Sequence, residues 1–363
     1  MGGHKNHYGY HEYRGRGGRG RGRTVLLFII ALLLLLLAAG AAFYAMVDLE
    51  YTDTGVKINW RGSQASQSPP PIASDPLEIV TGPVDVTVEP TEDVNPTPTP
   101  EPEYQPIAAV TVTTDQLRGG SAAQAVAAAG GNALVVEMKN VNGYLAWQSQ
   151  ASLAATMGTN AADNLAAQAV QTLAQTTDLY LVAKIQCFRD PLLATNRIGS
   201  LMTRGGNVWH DLQGMGWSSP ANQQAADYLS TLCLELADMG FDEILLDQAG
   251  YPNFGEVNVL ATSDNRPEDL TIPVSAFLER LSGELAQRGV CLGVLTDETL
   301  LPGDAVLTGL TSDVLAGHVG RVWLSGSADA QQYSSLLTAA GWGDTAPRVV
   351  SKNAPFGGGS WYR

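Results

Sequence analysis

Four short apolar runs end in ionisable side chains, and these endings are the first chemical signal in the chain. NALVVEM (132–138) contains Glu137 and leads to Lys139 and Asn140, with Asn142, Gly143 and Tyr144 following. LYLVAKI (179–185) carries Lys184 and leads to Gln186, Arg189 and Asp190. EILLD (243–247) ends in Asp247, with Gln248, Tyr251 and Pro252 beyond it. VCLGVLT (290–296) ends in Thr296, followed by Asp297 and Glu298. Carboxyl groups drawn from separate strand ends can divide acid and base roles, because their surroundings decide which one holds a proton. Lys184 sits inside an apolar run, where an unpaired charge is costly, so it is expected to meet an inward carboxylate, either Glu137 or Asp247. Glu137 and Lys139 are two apart on a strand and are expected to face the same side. Facing a barrel interior they would pair beside the site; facing out they would be a surface pair worth little.

The elements that must position these residues follow a regular order. IAAVTVT (107–113), GRVWLS (320–325) and PRVVS (347–351) bring the apolar runs to seven. Helical stretches are expected at 115–129, 160–176, 221–239, 272–288 and 328–340. Gly130, Gly240, Gly289 and Gly341 stand where left-handed C-terminal caps are wanted. Strand and helix alternation of this kind builds a parallel sheet. The globular part runs from about Tyr104 to Arg363, roughly 260 residues, close to the ~250 of a (β/α)8 TIM barrel. We therefore expect an α/β barrel whose last βα unit is incomplete, since about a dozen residues follow the seventh run. Residues 360–362 can supply a short closing strand. A doubly wound open sheet is the alternative, but no glycine-rich phosphate loop follows the first strand. Barrels of this type carry their chemistry at the C-terminal ends of the strands, where the four ionisable endings fall.

Other chemistries find little support. His210 and His318 have no partner at ligand spacing, so neither a metal site nor a cofactor is expected. Cys187, Cys233 and Cys291 lie in apolar segments at wide spacing, with no disulfide framework. No Gly-x-Ser-x-Gly elbow appears, which argues against a serine hydrolase.

The N-terminal third reads differently. Residues 24–47 (TVLLFIIALLLLLLAAGAAFYAMV) contain no charge and are long enough to span a bilayer core, which takes roughly 20 apolar residues. Arg14, Arg16, Arg19, Arg21 and Arg23 precede this run, and Asp48, Glu50 and Asp53 follow it. The positive-inside rule then places residues 1–23 in the cytoplasm and the C-terminal domain outside the cell. A cleaved signal peptide has a similar layout, but its apolar core is usually ~7–15 residues. The Arg/Gly-rich tail is read as a topology signal touching anionic lipid, not as a nucleic-acid binder. Residues 48–103 are read as a linker, rich in Pro, Ser, Thr and acids from 61 onward, a semi-rigid spacer that holds the folded part away from the membrane. Residues 1–23 carry about +5, so with a total of −15 the rest carries about −20. Such a charge repels polyanions and leaves neutral glycans as ligands.

Four segments carry a family resemblance: NALVVEMKNVNGYL (132–145), VAKIQCFRDPLLA (182–194), VWHDLQGMGWSSPANQQAADYL (208–229) and MGFDEILLDQAGYP (239–252). In order and spacing they resemble the putative glycosyl hydrolase domain, a bacterial group related to the α-amylase-type TIM barrels. The resemblance implies glycoside hydrolysis, which needs one protonated carboxyl group and one nucleophile or base across the scissile bond. It implies Asp247 as nucleophile and Asp297 or Glu298 as acid. It also implies a polysaccharide or cell-wall glycan as substrate, bound by Glu137, Lys139, Lys184 and Asp190 and by the aromatic faces of Tyr144, Trp209, Trp217 and Tyr251. Asp211 is expected to stabilise its loop. The sequence departs from the family's pattern at Asn140, where an acid is usual, and between Asp247 and Pro252, where an arginine is missing. It departs again at Val322–Ser327, which lacks a proline and a histidine. These departures leave open a carbohydrate-binding or envelope scaffold module that kept the barrel without its catalysis.

Overall fold

The computed structural model describes residues 47–52, 55–60, 104–296, 305–326 and 328–363. They fall in two compact units, 1–95 and 96–363. Residues 24–46 of the apolar run, residues 61–103 of the linker, and Asp297 and Glu298 lie outside the described residues. In the first unit Val47–Thr52 pairs antiparallel with Gly55–Trp60, so the start of the stretch read as linker carries a hairpin. No helix among the described residues is long and apolar enough to cross a membrane.

The second unit is a closed barrel of eight parallel strands. They are β1 (Ala108–Val112), β2 (Ala133–Lys139), β3 (Tyr180–Gln186), β4 (Glu243–Asp247), β5 (Cys291–Thr296), β6 (Arg321–Leu324), β7 (Val349–Lys352) and β8 (Trp361–Tyr362). The seven apolar runs supply β1 to β7. The two-residue β8 closes the ring by pairing with both β7 and β1. Residues 353–360 between β7 and β8 hold no helix, so the last βα unit is incomplete as expected.

Alternation along the strands divides the core into two layers. Ala109, Ala133, Val135, Val182, Leu245, Trp323 and Val350 fill the barrel interior. Leu134, Val136, Met138, Ala183, Ile185, Ile244 and Leu246 face the helices. The main helical layer comes from Leu165–Thr176, Gln223–Met239, Thr271–Ala286, Ser312–His318 and Ala330–Ala339. Gln223–Met239 begins where Asn222 accepts the Ala225 N–H, and it ends at Gly240, whose φ of 110° an L side chain rarely adopts.

One irregularity matters for the site. The β2–β3 register shifts between Glu137 and Lys139, a bulge that leaves Met138 as the extra residue. Glu137 continues the inward series of Ala133 and Val135. Lys139 does not return to that face. Glu137 and Lys139 therefore do not share a side, contrary to the simple alternation of a strand.

At the N-terminal end of the barrel, Glu243 is fully buried and fully partnered. Its carboxylate accepts from Trp323 Nε1 at 2.7 Å, Arg321 Nη1 at 2.9 Å and the Tyr180 hydroxyl at 3.1 Å. Gly293 makes room for it, since a Cβ there would lie 2.3 Å from Glu243 Oε1. Arg321 also donates to the carbonyls of Gln105 and Pro347.

Candidate active site at the barrel mouth

Three of the expected residues meet at the C-terminal mouth. Glu137 and Lys184 are register partners on β2 and β3, and Asp247 ends β4 opposite Gln186. Lys184 Nζ lies 3.1 Å from Glu137 Oε1 and 3.3 Å from Asp247 Oδ2. The expected inward carboxylate for Lys184 is thus both of the candidates. Burial pulls the Lys184 pKa down, but the two carboxylates outweigh it and hold it above the ordinary lysine value. The ammonium is therefore a fixed positive charge.

The two carboxylates differ. Asp247 is the more enclosed, its side chain 16% exposed against 39% for Glu137. Burial raises the Asp247 pKa and Glu137 adds to the rise, while Lys184 opposes it. Burial thus favours the protonated form of Asp247. Gln248, directly after Asp247, has φ of 54° in the left-handed region, a local strain typical of functional loops.

A cleft of about 670 Å³ opens at this end, lined by Glu137, Lys184, Asn140, Tyr144, Lys352 and Tyr362 among others. A narrow neighbour of about 50 Å³ reaches Asp247, Gln248 and Tyr251, and the two share Leu295 and Ser325 in their walls. Tyr144 is 49% exposed at the rim, where it is available to a ligand. Tyr362 donates to the Leu324 carbonyl at 2.9 Å, and its ring lies 5.3 Å from that of Trp323. Burial, with a contribution from Asp247, pushes its pKa up to about 12. Tyr362 and Lys352 had no signal in the sequence beyond their position near the chain's final strands.

Five other expected ligand contacts are internal supports instead. Lys139 and Asp190 form an ion pair at 2.8 Å, with side chains 0% and 1% exposed. Lys139 also donates to the Gln186 carbonyl, and Asp190 caps helix Pro191–Thr195 by accepting the Leu192 and Leu193 N–H groups. The β2 bulge turns Lys139 toward this pair and away from the cleft. Trp209, Trp217 and Tyr251 are buried too. Trp217 stacks edge-on with Trp209 and Phe254, and Tyr251 shares its hydroxyl with Ser219 and the Asn265 carbonyl. Trp209 and Trp217 pack the long loop after β3 and present no face to a sugar, and the buried Tyr251 only borders the narrow pocket.

Asp211 organises that loop, as expected. It accepts from Arg189 Nε at 2.7 Å, Trp217 Nε1 at 3.1 Å and the N–H groups of Gln213 and Met215. Burial would raise its pKa, but these four donors outweigh burial and hold it below the ordinary aspartate value. Asn140 is likewise occupied, its side-chain oxygen accepting the N–H groups of Asn142 and Tyr144.

A closed ring of eight parallel strands defines the class as a TIM barrel. Residues 108–296 match the putative glycosyl hydrolase domain, and the chain belongs to that family. Among solved structures, a hypothetical protein from Ruminiclostridium thermocellum is 22% identical over 51% of this chain and 96% of its own, with a TM-score of 0.45. The glycoside hydrolase domain of PgaB (BpsB) from Bordetella bronchiseptica is 10% identical over 71% of this chain and 93% of its own, with a TM-score of 0.51. At that identity the second likeness speaks for a shared barrel alone. No curated protein matches the chain.

Proposed function

We propose that this protein is a membrane-anchored, extracytoplasmic glycoside hydrolase that acts on cell-wall or extracellular polysaccharide by two-carboxylate chemistry. The observation that carries the reading is Asp247, an enclosed carboxyl group at the end of β4, held by Lys184 beside a cleft of about 670 Å³. Asp247 is one member of the pair. The partners suggested by the sequence, Asp297 and Glu298, follow directly on Thr296 at the end of β5. Residues 24–47 serve as the single-pass anchor and residues 48–103 as the spacer. Family membership supports the reaction class, and the acidic balance of the chain suits a neutral glycan better than a polyanion.

The test is a hydrolysis and binding screen of the full chain, in detergent, against insoluble and soluble cell-wall polysaccharides. Asp247→Asn should lower turnover by about 10³-fold or more, the scale of lost acid or nucleophilic catalysis, with an unchanged unfolding midpoint. Retained turnover in that variant would remove Asp247 from the chemistry.

A second reading is a barrel that binds glycan without cleaving it. Asn140 favours it, because at a position where the family usually has an acid this amide is engaged in capping its own loop. Binding by the wild-type chain with no product release would select it.

A further inference from the structure

We propose that Glu137 is the second carboxyl group of the hydrolytic pair, serving as the nucleophile while Asp247 serves as the acid. The inference rests on the hydrolytic reading above and changes which residues perform it. Three observations carry it. First, Lys184 Nζ touches both carboxyl groups, so Glu137 Oε1 and Asp247 Oδ2 are at most about 6.4 Å apart, a spacing compatible with the ~5–5.5 Å of retaining pairs. Second, Glu137 opens onto the large cleft, whereas Asp247 is reached from the narrow adjoining pocket. The attacking anion and the enclosed proton donor are thus approached from different sides. Third, among the described residues the titratable groups facing Asp247 are Lys184, Glu137, Arg189, Cys187 and Tyr362, and burial outweighs the cations among them in favouring its protonated form.

The steps balance. The Glu137 carboxylate attacks the anomeric carbon, the glycosidic C–O bond breaks, and the proton of Asp247 passes to the departing oxygen. Water then adds to the anomeric carbon of the glycosyl ester, giving its proton to the Asp247 carboxylate and releasing Glu137. Lys184 is a positioning residue. Its ammonium lies between the two carboxyl groups and sets the spacing of the pair.

The experiment uses the full chain with 4-nitrophenyl and 2,4-dinitrophenyl glycosides of glucose, galactose and N-acetylglucosamine. Glu137→Gly should lose about 10³-fold or more in kcat on both leaving groups, and azide should restore at least about tenfold by forming a glycosyl azide of inverted configuration. Asp247→Ala should lose about 10²–10⁴-fold on the nitrophenyl glycoside but only a few-fold on the dinitrophenyl one, whose leaving group needs no proton. Glu137→Gln, nearly the same size, repeats the loss in a variant whose folding is easily retained and whose circular dichroism reports it. A merely structural Glu137 would give no azide product. If the wild type cleaves and Glu137→Gly cleaves nearly as well, or is not rescued by azide, the assignment of Glu137 is wrong and the hydrolytic reading stands. If the wild type binds glycan and cleaves neither these probes nor the cell-wall polysaccharides, both fall together.

Discussion

Strand β4 carries a carboxylate at each end, and the two live in opposite circumstances. Glu243 and Asp247 are four residues apart, so both point into the barrel. Glu243 is sealed at the N-terminal end with an arginine, an indole and a phenol all donating to it. Asp247 is at the open end and shares one ammonium with a second carboxylate. At the closed end the charges balance and every Glu243 oxygen is satisfied. At the mouth one ammonium serves two carboxyl groups, and among the described residues these have hydrogen-bonding capacity to spare. That difference separates a polar network that holds a fold from one that can accept a ligand, since satisfied buried networks rigidify and incomplete ones remain available.

Substitutions at the two ends should therefore behave differently. The largest stability effect is expected for Glu243→Ala, which leaves Arg321 buried without its counter-charge and should cost about 3–5 kcal/mol in urea unfolding. A cost under about 1 kcal/mol, the range of surface pairs, would erase the contrast. Next is Asp211→Ala, which strands the Arg189 and Trp217 donors in the loop after β3 and should cost about 1–3 kcal/mol, read as faster proteolysis within residues 200–218. Lys184→Met should cost less, about 1 kcal/mol or below, because the carboxylates it leaves behind can take up a proton or water. Its clearer signature is an upward shift of the Asp247 titration, visible by carboxyl-carbon NMR, since Lys184 now holds that pKa down.

The smallest effect is a pH dependence. Asp211 has a folded pKa below its unfolded value, so its contribution is complete above the ordinary aspartate value of ~3.9 and is lost as pH falls through it toward the folded one. Melting temperatures from pH 6 to pH 3 should fall more steeply for the wild type than for Asp211→Asn. Parallel curves would remove Asp211 from the acid response.

Much of the barrel was legible because each strand announced itself as an apolar run of the right length between helical stretches. Even β8 was marked by Trp361 and Tyr362, though a two-residue strand has too few positions for a period. At the site, Lys184 was legible because a lysine within an apolar run demands a counter-charge. The Glu137–Lys139 pairing failed because a bulge depends on how two strands align, which alternation within one strand does not encode. Trp209, Trp217 and Tyr251 misled for a different reason: an aromatic ring in a loop has the same spelling whether it packs the loop or faces a ligand. Glu243 passed without notice, since its partners Tyr180, Arg321 and Trp323 come from strands far apart in the chain.

The β2 bulge also has a genetic consequence. Because Met138 is the extra residue, a single strand sends Glu137 to the cleft and Lys139 to Asp190 on the outer side. Removing the Met138 codon would place Lys139 directly after Glu137, opposite Ile185 as it is now, so the strand would become regular with Glu137 still inward and Lys139 still on the Asp190 side. An in-frame deletion of three nucleotides would thus leave both electrostatic systems in place and remove only the buried Met138 side chain from the helix-facing layer.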